Sequence, residues 1–148
     1  MTDYDLDILR LSRQGYCCAQ IIMQMALDLQ GVTNPGLIRA MTGLCHGEVG
    51  TSGPCGALSG AACLIAYYSG KGHETEMADE RLPLMLSELS AWFDHYASSR
   101  FGGIGCGDIT GGDVPNRQVC GGLVADCYGQ AMTILTSHGF EPLGGPDD

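Results

Sequence analysis

The sequence predicts an all-α fold, a single compact domain of five or six helices around one buried central helix. No stretch alternates apolar and polar residues with the period of two that marks a half-buried strand. Apolar residues recur instead at spacings of three and four over most of the chain. From Pro54 no residue is charged until Lys71, and a helix with apolar residues on all sides is typically buried. We expect the domain to span residues 1–138 and residues 139–148 to form a disordered tail.

The first part of the chain is predicted to form three helices. Residues 3–13 carry leucines among acidic residues and arginines, a pattern that indicates a short amphipathic helix. Residues 17–30 have apolar side chains at spacings of four, three and four, which places Cys18 on the buried stripe and Cys17 on a wetter side. An Asn-Pro pair begins a third helix over residues 34–45.

A glycine-rich loop, residues 43–53, leads into the central helix. Pro54 suits the first helical position, where its missing N–H costs nothing. Cys55 then falls in the first turn. Unpaired N–H groups and the positive end of the helix dipole stabilise a thiolate there, so we expect its pKa to be lowered. Gly56 and Gly60 lie four residues apart on one face and would let another backbone approach this turn.

The second half of the chain is predicted to form two long helices joined by a second glycine-rich loop. Residues 75–100 show large apolar side chains at helical spacing, and Pro83 must either kink this helix or lie in its first turn. The loop covers residues 101–112, with Cys106 in its middle. The last helix runs over residues 113–137.

Composition limits the classes of function. A net charge of −10 with only seven lysines and arginines argues against binding to nucleic acids or anionic membranes, which depend on basic clusters. The N-terminus is acidic where a signal peptide is basic, and the central apolar run is shorter than the about 20 residues that span a bilayer. We therefore expect a soluble cytoplasmic protein. Eight cysteines in such a protein suggest metal binding or redox chemistry.

The cysteines do not form a Cys-x-x-Cys pair anywhere, so a thiol site must be assembled from distant segments. Cys18, Cys55 and Cys120 each lie near a predicted helix start, and Cys106 lies in a loop flexible enough to reach them. We therefore expect these four to converge. Four thiolates would suit an iron–sulfur cluster or zinc, and two facing pairs would suit reversible disulfides.

Three further cysteine segments receive other interpretations. Cys17 adjoins Cys18, and because a disulfide between neighbours is strained, at least one of the two should be a bystander. Cys63 lies in the middle of the central helix and is assigned to core packing. Residues 45–48, Cys-His-Gly-Glu, offer a thiolate, an imidazole and a carboxylate, but a solvated turn is the favoured interpretation.

Four pieces of the sequence carry a resemblance to a known family. They are Gly15-Tyr16-Cys17-Cys18-Ala19-Gln20, Cys55-Gly56-Ala57-Leu58-Ser59-Gly60, Cys106 and Cys120. With them the chain resembles, over roughly residues 10–136, the redox-active proteins named for the cysteine pattern C-GCAxxG-C-C. The resemblance assigns the first family cysteine to Cys18, makes Cys17 an addition, and lets Cys127 replace Cys120 if the final helix is aligned differently. It implies a redox role, and a similar module in certain multi-cofactor cytochromes is associated with an iron–sulfur centre.

The leading hypothesis is a redox protein whose four cysteines either exchange disulfides or ligate a [2Fe–2S]-type cluster for electron transfer. A thiol-dependent oxidoreductase would use Cys55 as nucleophile and Cys18 or Cys106 as resolving cysteine. A cluster carrier would use all four as ligands, and N–H groups of glycines such as Gly56 and Gly60 would donate to the sulfurs. The alternatives are a non-catalytic module that binds zinc or copper or docks a partner, and a helical domain with inert buried cysteines. We expect a redox partner protein, and a homodimer is compatible with the sequence.

Overall fold

Seven α-helices and two short 3-10 helices make up the part of the chain that the computed structural model describes, residues 4–47, 53–110 and 117–144. These residues form no β-strand, so the all-α prediction is confirmed. The 3-10 helices are Thr42–Leu44 and Pro142–Gly144. The α-helices are α1 (Asp5–Arg13), α2 (Cys18–Gln30), α3 (Pro35–Met41), α4 (Gly56–Ser69), α5 (Leu82–Phe101), α6 (Cys106–Thr110) and α7 (Arg117–Ser137).

Helix α4 is the centre of the fold, as the run of uncharged residues predicts. It packs against α2, α5 and α7, and Ala61, Leu64 and Ile65 are completely buried. The two helices α2 and α4 approach each other closely at Gly60, where an added Cβ would lie 2.9 Å from the Cα of Ala19. A side chain at this position would force the helices apart, so the glycine fixes their separation.

The start of α4 differs from the prediction by two residues. Pro54 lies outside the helix, in an isolated antiparallel bridge with Gly105. Cys55 is the N-cap residue, with φ −55° and ψ 134°, rather than a residue of the first turn. Its own N–H donates to the carbonyl oxygen of Ile104 at 3.0 Å. Because Pro54 and Cys55 pair with the distant residues 104 and 105, their backbone is not helical, and α4 begins only at Gly56.

Helix α5 begins at Leu82 and not near residue 75 as predicted. Pro83 lies in its first turn, one of the two predicted placements, and the helix cannot continue far before it because proline lacks an N–H and its ring clashes with the preceding turn. Asp79 holds the segment before the helix in place through two hydrogen bonds. Its N–H donates to the Ser69 carbonyl at 2.7 Å, and its carboxylate accepts the Arg81 N–H at 2.8 Å.

Helix α6 was not predicted from the sequence, and it replaces part of the loop predicted over residues 101–112. Cys106 is its first residue, not the middle of a flexible loop. The Asp108 carboxylate accepts the N–H of Gly105 at 3.2 Å, which caps this short helix. Two predicted segments lie partly outside the described residues. They are the first glycine-rich loop, at 48–52, and the end of the second loop with the predicted start of the last helix, at 111–116.

The chain after α7 packs back onto the helices as far as the structure describes it. The Tyr68 hydroxyl donates to the Pro142 carbonyl at 2.7 Å, and the Arg81 guanidinium lies over the Phe140 ring at 4.2 Å from its centroid. Residues 145–148 of the expected tail lie outside the described residues. In the described part of the chain, no helix is both long enough and apolar enough to cross a membrane.

Candidate thiol site

A largely apolar cavity of about 650 Å³ lies between the starts of α2, α4, α6 and α7. Its wall includes Cys18, Cys55, Cys106 and Cys120, the four cysteines predicted to converge. Each comes from a different helix or helix start, so the fold brings together four thiol positions that are far apart in sequence. Gly56 also lines the cavity, whereas Gly60 lies one turn farther along α4 against α2.

The Pro54–Gly105 bridge positions Cys55 and Cys106. The Cys106 N–H donates to the Gly53 carbonyl at 3.0 Å, beside the bond from Cys55 to Ile104. Cys55 and Cys106 each follow a residue of the bridge, so the bridge holds the two cysteines near each other. Both line the cavity.

Cys18 is held against the start of α4 by a glycine. A Cβ added to Gly56 would lie 2.5 Å from Cys18 Sγ and 3.0 Å from the Leu44 carbonyl oxygen. Only glycine therefore leaves room for this sulfur. The N–H groups of Ala19 and His46 hydrogen-bond Cys18 Sγ. His46 has a φ of +58°, a left-handed conformation that is uncommon for residues other than glycine.

The last helix places its two cysteines differently. Cys120 lines the cavity and is half-buried. Cys127 is completely buried in the main core. Burial raises its pKa, and the charges of Cys55, Asp126 and Cys18 raise it as well. Cys120 is thus the cysteine of α7 that faces the cavity, and Cys127 lies behind the wall. Cys63 packs at the edge of a second core cluster, in agreement with its assignment to packing.

Burial favours the protonated form of three cavity thiols, Cys18, Cys55 and Cys106. Burial together with the charges of Cys55 and Cys120 raises the pKa of Cys18 to about 12, against the N–H groups of Ala19 and His46. Burial also raises the pKa of Cys55. The expectation of a lowered pKa at Cys55 is therefore wrong, although the predicted helix-start effect exists, because the N–H groups of Ala57 and Leu58 bond this sulfur and favour the thiolate.

Alkaline pH should weaken the fold through these thiols. Because the pKa of Cys18 is raised from 9.0, its neutral form contributes stability that is fully present below pH 9 and is lost as the pH rises toward 12. The loss reaches about 1.4 kcal/mol per pH unit for each such group. Anaerobic urea unfolding between pH 8 and pH 10 measures it. Cys18→Ala should show a shallower loss, and an unchanged slope would contradict the raised pKa.

A disulfide joins Cys17 and Cys45, whose Cα atoms are 6.1 Å apart. The sequence interpretation missed it, since Cys17 was treated as an addition and residues 45–48 as a solvated turn. Cys45 is only 3% exposed, so the second interpretation is wrong for this residue, while Glu48 lies outside the described residues. The signal in the sequence was weak: two cysteines, each next to a predicted helix end.

The cavity has the donor types of a metal centre, but the described side chains do not have the arrangement of one. Four cysteine sulfurs and several N–H donors have the chemistry of an iron–sulfur ligand set. Within residues 4–47, 53–110 and 117–144, however, no three His, Cys, Asp or Glu side chains are arranged so that they could hold a metal ion. The donor types therefore fit a cluster, and the described side chains as placed do not.

Comparison with known proteins identifies one family. A family model described as "Putative redox-active protein (C_GCAxxG_C_C)" matches residues 16–134, a range that includes all four cavity cysteines. Searches of curated proteins and of solved structures each gave no match.

Proposed function

The chain belongs to the C_GCAxxG_C_C family of redox-active proteins, and from this premise we propose that its cavity is a thiol redox site where Cys55 and Cys18 form and break a disulfide. The observation that carries the proposal is the convergence of four cysteines on one cavity. Cys18 Sγ lies against the start of α4, 2.5 Å from where a Cβ on Gly56, the residue after Cys55, would be. After burial, the charge of Cys55 is also the largest cause of the raised pKa of Cys18, and we therefore take these two sulfurs as the redox pair.

Cys55 is suited to be the attacking thiol. It is the N-cap residue of α4, and the nearby N–H groups of Ala57 and Leu58 lower the pKa of its thiol, against the larger effect of burial, and so favour the thiolate. The same N–H groups favour its departure when the disulfide is reduced, because a stabilised thiolate is a better leaving group. Cys106 lines the same cavity and is the alternative resolving cysteine.

The proposed reaction needs a disulfide, on a partner protein or a small molecule, as the electron acceptor. The Cys55 thiolate attacks one acceptor sulfur, breaks the acceptor S–S bond and forms a mixed disulfide, and the first acceptor thiolate leaves. The Cys18 thiolate then attacks Cys55 Sγ and releases the second acceptor thiolate. Two electrons pass to the acceptor, whose two thiolates take up the two protons lost by Cys18 and Cys55. A reducing compartment such as the cytoplasm would return the pair to thiols.

A second candidate function is one-electron transfer by a [2Fe–2S] cluster, which the chemistry of the four donors favours. Cys18, Cys55, Cys106 and Cys120 would hold it, and the N–H groups of Ala57 and Leu58, already directed at Cys55 Sγ, would tune its potential. Such a cluster needs at least three of these sulfurs around one metal ion, and no three His, Cys, Asp or Glu side chains of the described residues are arranged in that way. The placement of the described side chains therefore supports the dithiol better.

Anaerobic purification followed by a visible spectrum, iron and sulfide analysis, and a thiol count separates these functions. We expect a colourless protein that loses two thiols in oxidised glutathione beyond the two of the Cys17–Cys45 disulfide and regains them in dithiothreitol. Iron and labile sulfide in stoichiometric amounts, with visible absorption that Cys55→Ser removes, would overturn the thiol proposal in favour of the cluster. Bound zinc or copper with an unchanged thiol count would overturn both and indicate a metal-binding module.

A further inference from the structure

The disulfide between Cys17 and Cys45 adjoins the cavity, and neither cysteine belongs to the four of the family pattern. We propose that this disulfide oxidises the cavity pair Cys18 and Cys55 by thiol–disulfide exchange through Cys18. We call this exchange the relay. This inference rests on the proposed redox pair of Cys18 and Cys55. It adds a second redox site and a role for two cysteines that the pattern leaves unexplained.

The Cys17–Cys45 disulfide has one accessible end, Cys17, and one protected end, Cys45. Its Cα–Cα separation of 6.1 Å is ordinary for a disulfide. Cys17 is half-buried and lines the cavity, so a reagent that enters the cavity can reach it. Cys45 is 3% exposed and is reached only from within the protein.

Cys18 lies beside the protected end. A Cβ built on Gly56 would be 2.5 Å from Cys18 Sγ and 3.5 Å from Cys45 Cα. The sulfur of Cys18 and the backbone of Cys45 therefore adjoin the same small space at Gly56. The N–H of His46, the residue after Cys45, bonds Cys18 Sγ, so the backbone next to the disulfide is already joined to the cavity thiol.

The surroundings of the two disulfide sulfurs suit Cys17 as the leaving group and Cys45 as the sulfur that is attacked. Cys17 is the N-cap residue of α2 and forms a capping box with Gln20, whose Oε1 accepts the Cys17 N–H at 3.1 Å. A thiolate released here lies at the positive end of a helix, which stabilises it as a leaving group. Cys45 Sγ lies 3.7 Å from the Met41 carbonyl oxygen, which can accept the proton of a reduced Cys45.

These placements give a balanced exchange. The Cys18 thiolate attacks Cys45 Sγ, the Cys17–Cys45 bond breaks, and Cys17 leaves as a thiolate and takes the proton that Cys18 lost. The Cys55 thiolate then attacks Cys18 Sγ, forms the Cys18–Cys55 disulfide and releases Cys45, which takes the proton of Cys55. Two electrons move from the cavity pair to the outer pair, and no external oxidant is consumed. Attack on Cys17 Sγ instead would create a strained disulfide between neighbours.

The double variant Cys17→Ser/Cys55→Ser tests the first step because it lacks the thiol that resolves the Cys18–Cys45 disulfide in the second step, and because Cys18 is then the only cysteine of its tryptic peptide. Oxidation of this variant with glutathione disulfide should trap a Cys18–Cys45 disulfide. Digestion with trypsin and a glutamate-specific protease separates the relevant cysteines, since Arg39 divides Cys18 from Cys45 and Glu48 divides Cys45 from Cys55. Non-reducing mass spectrometry then identifies the linked peptides. Cys63→Ser, which should keep the Cys17–Cys45 bond, is the matched control.

The outcomes separate the relay from the redox pair on which it rests. If Cys17→Ser/Cys55→Ser forms no Cys18–Cys45 disulfide, so that Cys45 stays a thiol or carries only glutathione, while Cys17→Ser/Cys45→Ser forms Cys18–Cys55, the relay is wrong and the cavity pair stands. If the double variant Cys17→Ser/Cys45→Ser, oxidised directly, forms no Cys18–Cys55 disulfide, the cavity pair itself is wrong. A near-native circular dichroism spectrum for each variant shows that the result reports chemistry and not unfolding.

Discussion

Replacing Cys55 by serine should abolish the reversible loss of the two thiols that the Cys17–Cys45 disulfide does not account for. Cys55 lines the cavity with Cys18, and Cys18 Sγ lies against Gly56, the residue after Cys55. Serine keeps the N-cap and the size of the side chain but cannot form a disulfide. Thiol counts in oxidised and reduced glutathione buffers measure the effect.

The matched control for this variant is Cys63→Ser on the same helix. Cys63 is half-buried like several of the cavity residues, but it packs at the edge of the second core cluster and does not line the cavity. Its replacement should leave the loss of two thiols unchanged. Equal behaviour of the two serine variants, whether both retain or both lose the response, would contradict a site centred on Cys55.

Gly60→Ala should destabilise the protein by about 1–3 kcal/mol, the usual cost of overpacking a well-packed core. The added Cβ would lie 2.9 Å from Ala19 Cα and 3.3 Å from the Ala19 carbonyl oxygen, and backbone atoms cannot rotate away as a flexible side chain can. Helices α2 and α4 must separate, and this also moves Cys18 away from Cys55. Equilibrium unfolding in urea measures the change in free energy.

The control for that substitution is Gly129→Ala in α7. Its Cβ would meet only Tyr4 Cε2, at 3.6 Å, an ordinary contact. Alanine in a helix interior should then stabilise the protein by about 0.5–1 kcal/mol relative to glycine. If Gly60→Ala stabilises the protein as Gly129→Ala does, the close approach of α2 and α4 at Ala19 is wrong.

Helix identity could be predicted from the sequence wherever local chemistry decides it. Asn34 accepts the Leu37 N–H at 3.1 Å and begins α3, as an Asn-Pro pair suggests, and the uncharged stretch after Pro54 is the buried α4. The first residues of α4 were misplaced because their backbone pairs with residues 104–106, some 50 positions away. No local pattern reports such a pairing.

The cysteines show the same division between local and distant effects. The convergence of Cys18, Cys55, Cys106 and Cys120 was inferred from helix starts, and in the structure all four line one cavity. The pKa at Cys55 was predicted in the wrong direction because helix-start N–H groups are visible in a sequence whereas burial is not. Cys45 was missed as a partner of Cys17 because their 28-residue separation is closed only by the packing of α2 and α3.

The claim that Cys18 and Cys55 form a reversible disulfide is tested most directly by disulfide mapping of the oxidised wild-type protein. After oxidation with glutathione disulfide and blocking of the remaining thiols, the same two-protease digest yields the linked peptides. Their fragmentation in the mass spectrometer distinguishes Cys18 from the adjacent Cys17 and Cys55 from Cys63, which share a peptide in each case. A Cys18–Cys55 link that forms in oxidising buffer and disappears in reducing buffer is the predicted result. If both cysteines react with the blocking reagent equally in the two buffers, the cavity is not a thiol redox site.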